Sequence, residues 1–449
     1  MRLSKTDSIA KKRRFSDARP CNTTEAPLVL QACLTAASTE PVLAMKKRDF
    51  LVASLASLAA PLWAQDKWGE SKGYPTGWGP DGRRQMWEGY PEYHVGNFSG
   101  GIESMFAHQT IRASGQPTLW TQAKRQVKAN FWMDASDFAA KFNRTALLIA
   151  RQNEIWHEEY RFKRTADMRF FGWSMTKSIL GVLVGIALDQ KKIASLDDRL
   201  DQYLPQLKGH AFGDISLRHV LNMSSGINIC ESFCAPNNGF ERYGYSQIGY
   251  SPYRGKNTDQ IVGILTFSWG RNAAPGEQFN YTDVNPVLMA WVLETVYQMR
   301  LPAIAEKYLW QPLGAASDAT WLTDAQGFTF SGAGFSATLQ DWARFAMMVA
   351  NEGRFNGTQI VSSAWIDETS HHGEKDQAAR FNVARPGRGY RNFFWHHSAD
   401  GRILRMAGAH GQNALIDKQT KTVLVQTGVG PESGADEAMS ALFEAACRT

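Results

Sequence analysis

"FFGWSMTKSILGVLVGIALDQKK", Phe170 to Lys192, places one serine and one lysine three residues apart at the mouth of an otherwise apolar helix. Ile179, Leu180, Val182, Leu183, Val184, Ile186 and Leu188 leave almost no polar face, so the spacing predicts a buried helix. Side chains three apart share one helical face at about 5–6 Å, which brings Ser174 and Lys177 together. Gly172-Trp173 precede the helix and Ser174 is expected to begin it, where unpaired backbone N–H groups and the positive dipole end favour developing negative charge. Desolvation at the rim of an apolar core lowers an ammonium's pKa, and the neutral amine can then take a proton from the serine hydroxyl. A serine N-cap beside a snorkelling lysine is the structural alternative, and the Ser-x-x-Lys spacing alone does not choose between them.

Upstream, "TALLIAR" and "IWHEEYRF" are β-favouring runs joined at Gln152-Asn153-Glu154, which reads as a hairpin. Residues 196–326 change texture to helical and loop-bounded segments such as "DQIVGILTFSW" and "NPVLMAWVLETVYQM". Downstream, "RILRMAG", "AHGQNALID" and "TVLVQTG" read as three strands, followed by a closing helix "GADEAMSALFEAAC". Strands at both ends around a helical middle predict an α/β fold of the α+β kind: an antiparallel sheet built from N- and C-terminal parts and flanked by helices. The expected division is a leader over 1–64, an irregular arm on the domain surface over 65–100, the α/β domain over 101–195 and 327–449, and a mostly helical insert over 196–326.

Composition supports a packed core, with 43% hydrophobic and 12% aromatic residues among 449. The net charge of +6 resembles a nucleic-acid signal, but residues 1–64 hold ten Lys/Arg against five Asp/Glu and so carry five of those six charges. No nucleic-acid partner is expected. "MKKRDFLVASLASLAAPLWAQD" from Met45 has the cationic start, apolar run and small residue at Ala64 of a secretory signal peptide, too short to span a membrane. A periplasmic or secreted location follows as an expectation, with no stable membrane span after cleavage. Beyond the leader three cysteines remain, and Cys230 and Cys234 lie close enough to bridge in an oxidising compartment. "IWHEEY" lacks a second histidine four residues on, and no metal or organic cofactor is expected.

Three further segments raise the catalytic reading. "APGEQFNYTDVNP" sets Tyr281 between a Pro-Gly turn and a helix, and "GAHGQNALID" offers Gly408, Ala409 and Gly411 as a strand along which a substrate can lie. With "SMTKSILGVLVGIAL" and "LRHVLNMSSGI", these resemble the serine β-lactamase and penicillin-recognising superfamily, in its class C-like branch of esterases, D-aminopeptidases and 6-aminohexanoate-dimer hydrolases, the last most of all. The likeness covers roughly Gly101 to Cys447. It implies Ser174 as the acylated nucleophile, Lys177 as its proton acceptor and Tyr281 as the relay to the leaving group. The backbone N–H groups of Ser174 and Ala409 are implied as the oxyanion hole. Asp283 stands where the family carries an asparagine, a carboxylate in place of a substrate-contacting amide, with Asn285 two residues on. The Lys-Thr-Gly of β-lactamases is missing and His410-Gly411 occupies its neighbourhood, which argues against efficient β-lactam turnover. His410 reads either as a cleft donor or as a satisfied strand histidine. Tyr243 and Tyr245 read as surface aromatics or as the source of a second cleft phenol, with Tyr245 the candidate substrate contact. The function implied is an exported serine hydrolase cleaving a small-molecule amide or ester, with a slow or non-catalytic sensor of peptidoglycan fragments as the rival. Oligomeric state is left open.

Overall fold

Runs of buried residues on consecutive positions, rather than alternation, mark the central strand Arg144–Arg151, whose first seven residues are all inaccessible. A strand reads this way when both faces of its sheet are covered. Leu147 and Ile149 pack with Leu415, Leu424, Phe138 and the closing helix Ala435–Arg448 through Met439 and Leu442. Ala146, Leu148 and Ala150 face the opposite way, into a larger core with Val423, Val425, Phe345 and the apolar helix.

The computed structural model describes residues 66–79, 90–123, 125–130, 133–228, 259–266, 269–371, 389–430 and 432–449, and Pro61–Thr449 form one compact unit. Among the described residues, the main sheet has eight strands in the order Tyr390–Arg391, Phe394–His396, Ile403–Ala407, Asn413–Asp417, Thr422–Gly428, Arg144–Arg151, Glu154–Tyr160 and Thr121–Gln122. Every pairing is antiparallel except the last, which is parallel. The N- and C-terminal parts of the chain meet where Thr422–Gly428 pairs with Arg144–Arg151, Val423 opposite Ala150 and Val425 opposite Leu148. The antiparallel sheet flanked by helices is therefore the fold read from the sequence. The hairpin turn is Gln152-Asn153, with Gln152 left-handed at φ 54° and Glu154 already in the second strand.

Three expectations need correction. The arm is not irregular and superficial throughout: Pro91–Tyr93 forms a 3-10 turn and His94–Phe98 a short helix whose five residues are all buried. Its aromatic side chains, lacking any periodicity in sequence, are satisfied by a cluster of Phe98, Phe106, Phe171 and Phe330. The segment 196–326 is not helical to its end, because Ala319–Leu322 is a strand pairing with His108–Ile111 and Phe335–Ala337. With Phe170–Phe171 these make a second, four-stranded sheet, too short in each strand to announce itself by alternation. Thirdly, "AHGQ" is not strand: Ala409–Gly411 is a 3-10 turn between Ile403–Ala407 and Asn413–Asp417. Residues 1–65, with the expected signal peptide, and Cys230, Cys234, Tyr243 and Tyr245 lie outside the described residues. Among the described residues no helix is long and apolar enough to cross a membrane.

Candidate active site

The second sheet delivers the serine. Strand Phe170–Phe171 runs into Gly172, whose N–H donates to the Phe335 carbonyl at 2.9 Å. Ser174 does not begin the α-helix; it sits in a 3-10 turn, Trp173–Met175, and the helix proper is Thr176–Asp189. Trp173 adopts a left-handed φ of 49°, a conformation that costs a non-glycine residue energy and persists when its surroundings over-determine it. Gly172 has no Cβ to collide with the Trp342 ring, and the Trp342 indole N–H donates to the Phe170 carbonyl at 3.1 Å. The serine is thus presented on a sharp strand-to-helix corner clamped from below, and it remains partly exposed.

Behind it, residues 176–187 of the helix are all buried, Lys177 among them with 1% of its side chain exposed. Its Nζ donates to Ser174 Oγ at 2.9 Å, to the Gly332 carbonyl at 2.9 Å and to Asp283 Oδ1 at 2.5 Å. The same nitrogen lies 4.7 Å from the centre of the Tyr281 ring. Burial holds the pKa of the Tyr281 phenol above the ordinary tyrosine value, with the neighbouring Lys177 pulling the other way. Tyr281 is therefore a protonated phenol at neutral pH. Ser174, Lys177 and Tyr281, drawn from segments over a hundred residues apart, meet in one cluster, the lysine bonded to the serine and beside the tyrosine ring.

Asp283 differs from its expected place. Its carboxylate is turned onto Lys177 and fills the space beside Gly332, where a Cβ would stand 2.6 Å from Oδ1. Asn285 lies in the core with its amide donating to the Val220 carbonyl at 3.2 Å. The contact between residues 177 and 283 has no sequence signal, because a carboxylate next to a motif tyrosine reads equally as a substrate contact.

The turn 408–412 closes the other side. Gly408 lies so near the nucleophile corner that a Cβ there would overlap the Gly172 carbonyl oxygen. Ala409 is exposed next to that corner. The Gln412 side chain donates to the carbonyls of Ala409, His410 and Gly428 at 3.1, 3.2 and 2.9 Å, and the Gly428 N–H donates back to it at 2.9 Å. Gln426 and the buried Arg144 donate to the Gly411 carbonyl at 3.0 and 3.2 Å. Sequence reasoning missed Arg144, Gln412 and Gln426; a buried glutamine in an apolar strand run was the available signal. Gly411 itself, at φ 90°, makes room for the Arg144 guanidinium. His410 belongs to a turn and not a strand, and its ring packs among His94, Phe98 and Trp173 at 5.2, 4.9 and 5.0 Å between centroids. Burial, with His94 alongside, pushes its pKa down to about 3, so it is an uncharged aromatic wall. Tyr281 belongs to a second aromatic group, stacked on Trp395 at 5.7 Å with Tyr390 edge-on to both. Among the described residues no group of three or more His, Cys, Asp or Glu could hold a metal ion.

Known proteins share this arrangement of elements. The beta-lactamase family model matches residues 135–444. A 6-aminohexanoate-dimer hydrolase of Paenarthrobacter ureafaciens is 29% identical over 289 residues, 64% of this chain and 73% of that protein. A solved Bacillus anthracis structure provisionally named as a 6-aminohexanoate-dimer hydrolase superposes with a TM-score of 0.71 at 19% identity, covering 81% of this chain and 96% of that one. A family VIII carboxylesterase superposes with a TM-score of 0.52 at 17% identity, over 69% of this chain and 95% of its own. At these identities the solved structures show likeness of fold.

Proposed function

The chain belongs to the beta-lactamase family and is a serine hydrolase, and from that premise we propose that it cleaves a small amide or ester through an acyl-enzyme formed on Ser174. The observation that carries this reading is the cluster itself: a buried lysine nitrogen 2.9 Å from a partly exposed serine oxygen, with the ring of a protonated phenol 4.7 Å from that nitrogen. Lys177, in its amine form, accepts the Ser174 proton as Oγ bonds to the substrate carbonyl carbon. The resulting oxyanion is held by the N–H groups of Ser174 and Ala409, which the packing of Gly408 on Gly172 supports. Tyr281 passes the proton from Lys177 to the leaving nitrogen or oxygen as its bond to carbon breaks. Water then attacks the acyl-enzyme, gives its proton back through the same groups, and the acid departs with Ser174 restored.

A fluorophosphonate probe tests the nucleophile directly. Stoichiometric labelling at Ser174, in protein that hydrolyses p-nitrophenyl esters, is expected; labelling elsewhere overturns the assignment. Labelling at Ser174 without turnover of any substrate favours the slow or non-catalytic sensor instead.

Tyr281→Phe separates the two leaving-group classes. An amine must be protonated as it departs while an activated alkoxide asks less, so amide cleavage is expected to fall by roughly 10²-fold or more and p-nitrophenyl ester cleavage by less than about tenfold. Equal losses in kcat on a linear amide dimer and on an ester contradict the relay role. Gly408→Ala is expected to push the turn off the nucleophile corner and lower kcat/KM by roughly 10²-fold on both substrates, since a shift of about 1 Å in a catalytic group has that effect.

Export completes the proposal: the signal-like segment from Met45 supports removal of residues through Ala64. N-terminal sequencing of protein from the periplasm and medium decides this, a retained Met1 arguing against it.

A further inference from the structure

Three oxygens accept from the Lys177 nitrogen, Ser174 Oγ, the Gly332 carbonyl and Asp283 Oδ1, and the Tyr281 ring lies beside it at 4.7 Å. The Gly332 carbonyl and the Asp283 carboxylate can only accept, so an ammonium with three protons suits this shell better than an amine with two. Burial favours the amine, but a carboxylate in direct contact favours the ammonium and lies closer than any other neighbour. Among the described residues the titratable groups around the nitrogen are Asp283, at the head of helix Val284–Tyr297, and Tyr281 two residues earlier. Ser174 on the nucleophile corner and the Gly332 loop before strand Phe335–Ala337 complete the shell.

We propose that Asp283 holds Lys177 as an ammonium in the resting enzyme, so that loss of one proton from the Lys177–Asp283 pair sets the low-pH limit of acylation. Asp283 is then a positioning residue acting through Lys177 and not a substrate contact. This rests on the serine-hydrolase reading, and it adds a direction to the pH dependence that Ser174, Lys177 and Tyr281 alone do not supply. An opposite charge raises the pH at which an ammonium gives up its proton. Removing that charge lets the reactive amine appear at lower pH.

The test is kcat/KM for a p-nitrophenyl ester between pH 5 and 10, with fluorophosphonate labelling run alongside, on the full-length protein. Asp283→Asn keeps the shape and removes the charge, and the acid limb is expected to move down by about one to three pH units. Gly332→Ala reaches the same end differently, its Cβ displacing the carboxylate from the amine, and is expected to move the limb in the same direction. Circular dichroism confirms folding, and Gly332→Ala serves if the asparagine variant does not fold. An acid limb unmoved in folded variants that still label at Ser174 overturns the role of Asp283 alone, as does activity lost equally at every pH. Wild type that does not label at Ser174 overturns the serine-hydrolase reading instead.

Discussion

Ser174→Ala is expected to lower kcat on every ester and amide the wild type cleaves by on the order of 10⁶-fold, leaving the fold intact. The size follows from what is removed: without Oγ no acyl-enzyme forms, and any residual rate comes from water attacking a carbonyl polarised by the oxyanion donors. Stability is not expected to suffer, because Lys177 keeps Asp283 and the Gly332 carbonyl as partners after the hydroxyl is gone. Turnover is best followed with a p-nitrophenyl ester and a linear amide dimer, and unfolding by circular dichroism. A variant that retains more than about 1% of wild-type turnover with an unchanged melting curve excludes Ser174 as the nucleophile, since removing a member of such a unit costs far more than that.

Asp341→Ala is expected to cost about 3–5 kcal/mol of stability, the scale of breaking a buried ion pair from one side. Asp341 is fully buried and Arg344 is 2% exposed, and the guanidinium donates to Oδ1 at 2.9 Å. The same carboxylate accepts from the backbone N–H groups of Ala316 and Ser317 at 2.8 and 3.1 Å and from the Thr338 hydroxyl at 2.7 Å. Deleting it strands a buried guanidinium, which keeps the Thr118 carbonyl at 2.9 Å, and leaves the Ala316 and Ser317 N–H groups without this acceptor. The consequence reaches the site, because Asp341 opens helix Leu339–Ala350, whose Trp342 lies under Gly172 and holds the Phe170 carbonyl. Chemical denaturation measures the loss, and activity is expected to fall in step with the folded fraction. Asp341→Asn keeps an acceptor oxygen and is expected to lose less. A change below about 1 kcal/mol for the alanine variant shows that the pair contributes nothing net.

The apolar helix was readable because its signal is dense and local: from Ile179 to Ala187 the side chains are all hydrophobic or small, and every one is buried. Strands Arg144–Arg151 and Thr422–Gly428 were readable for the same reason. The four-stranded sheet was not, since runs of two to four residues carry no period to detect. The corner at Ser174 was also hidden, because nothing in a tryptophan announces a left-handed φ; the clamp of Gly172 against Trp342 imposes it. His94–Phe98 read as a loose arm because five aromatic, small and polar residues bury themselves only when His410 and Trp173 are there to receive them.

Residue order along the chain was enough to pair Ser174 with Lys177, because a helix sets side chains three apart on one face regardless of what packs around it. It was enough too for the antiparallel frame, through hydrophobic runs that a covered sheet demands. The charge environment of Lys177 came from elsewhere: Asp283 and the Gly332 carbonyl are 106 and 155 residues away in sequence and arrive at the amine only when two helices and a sheet close upon one another. Hydrogen bonds and charge pairs act over a few ångströms, so what they join is a property of packing, and no spacing of letters encodes it.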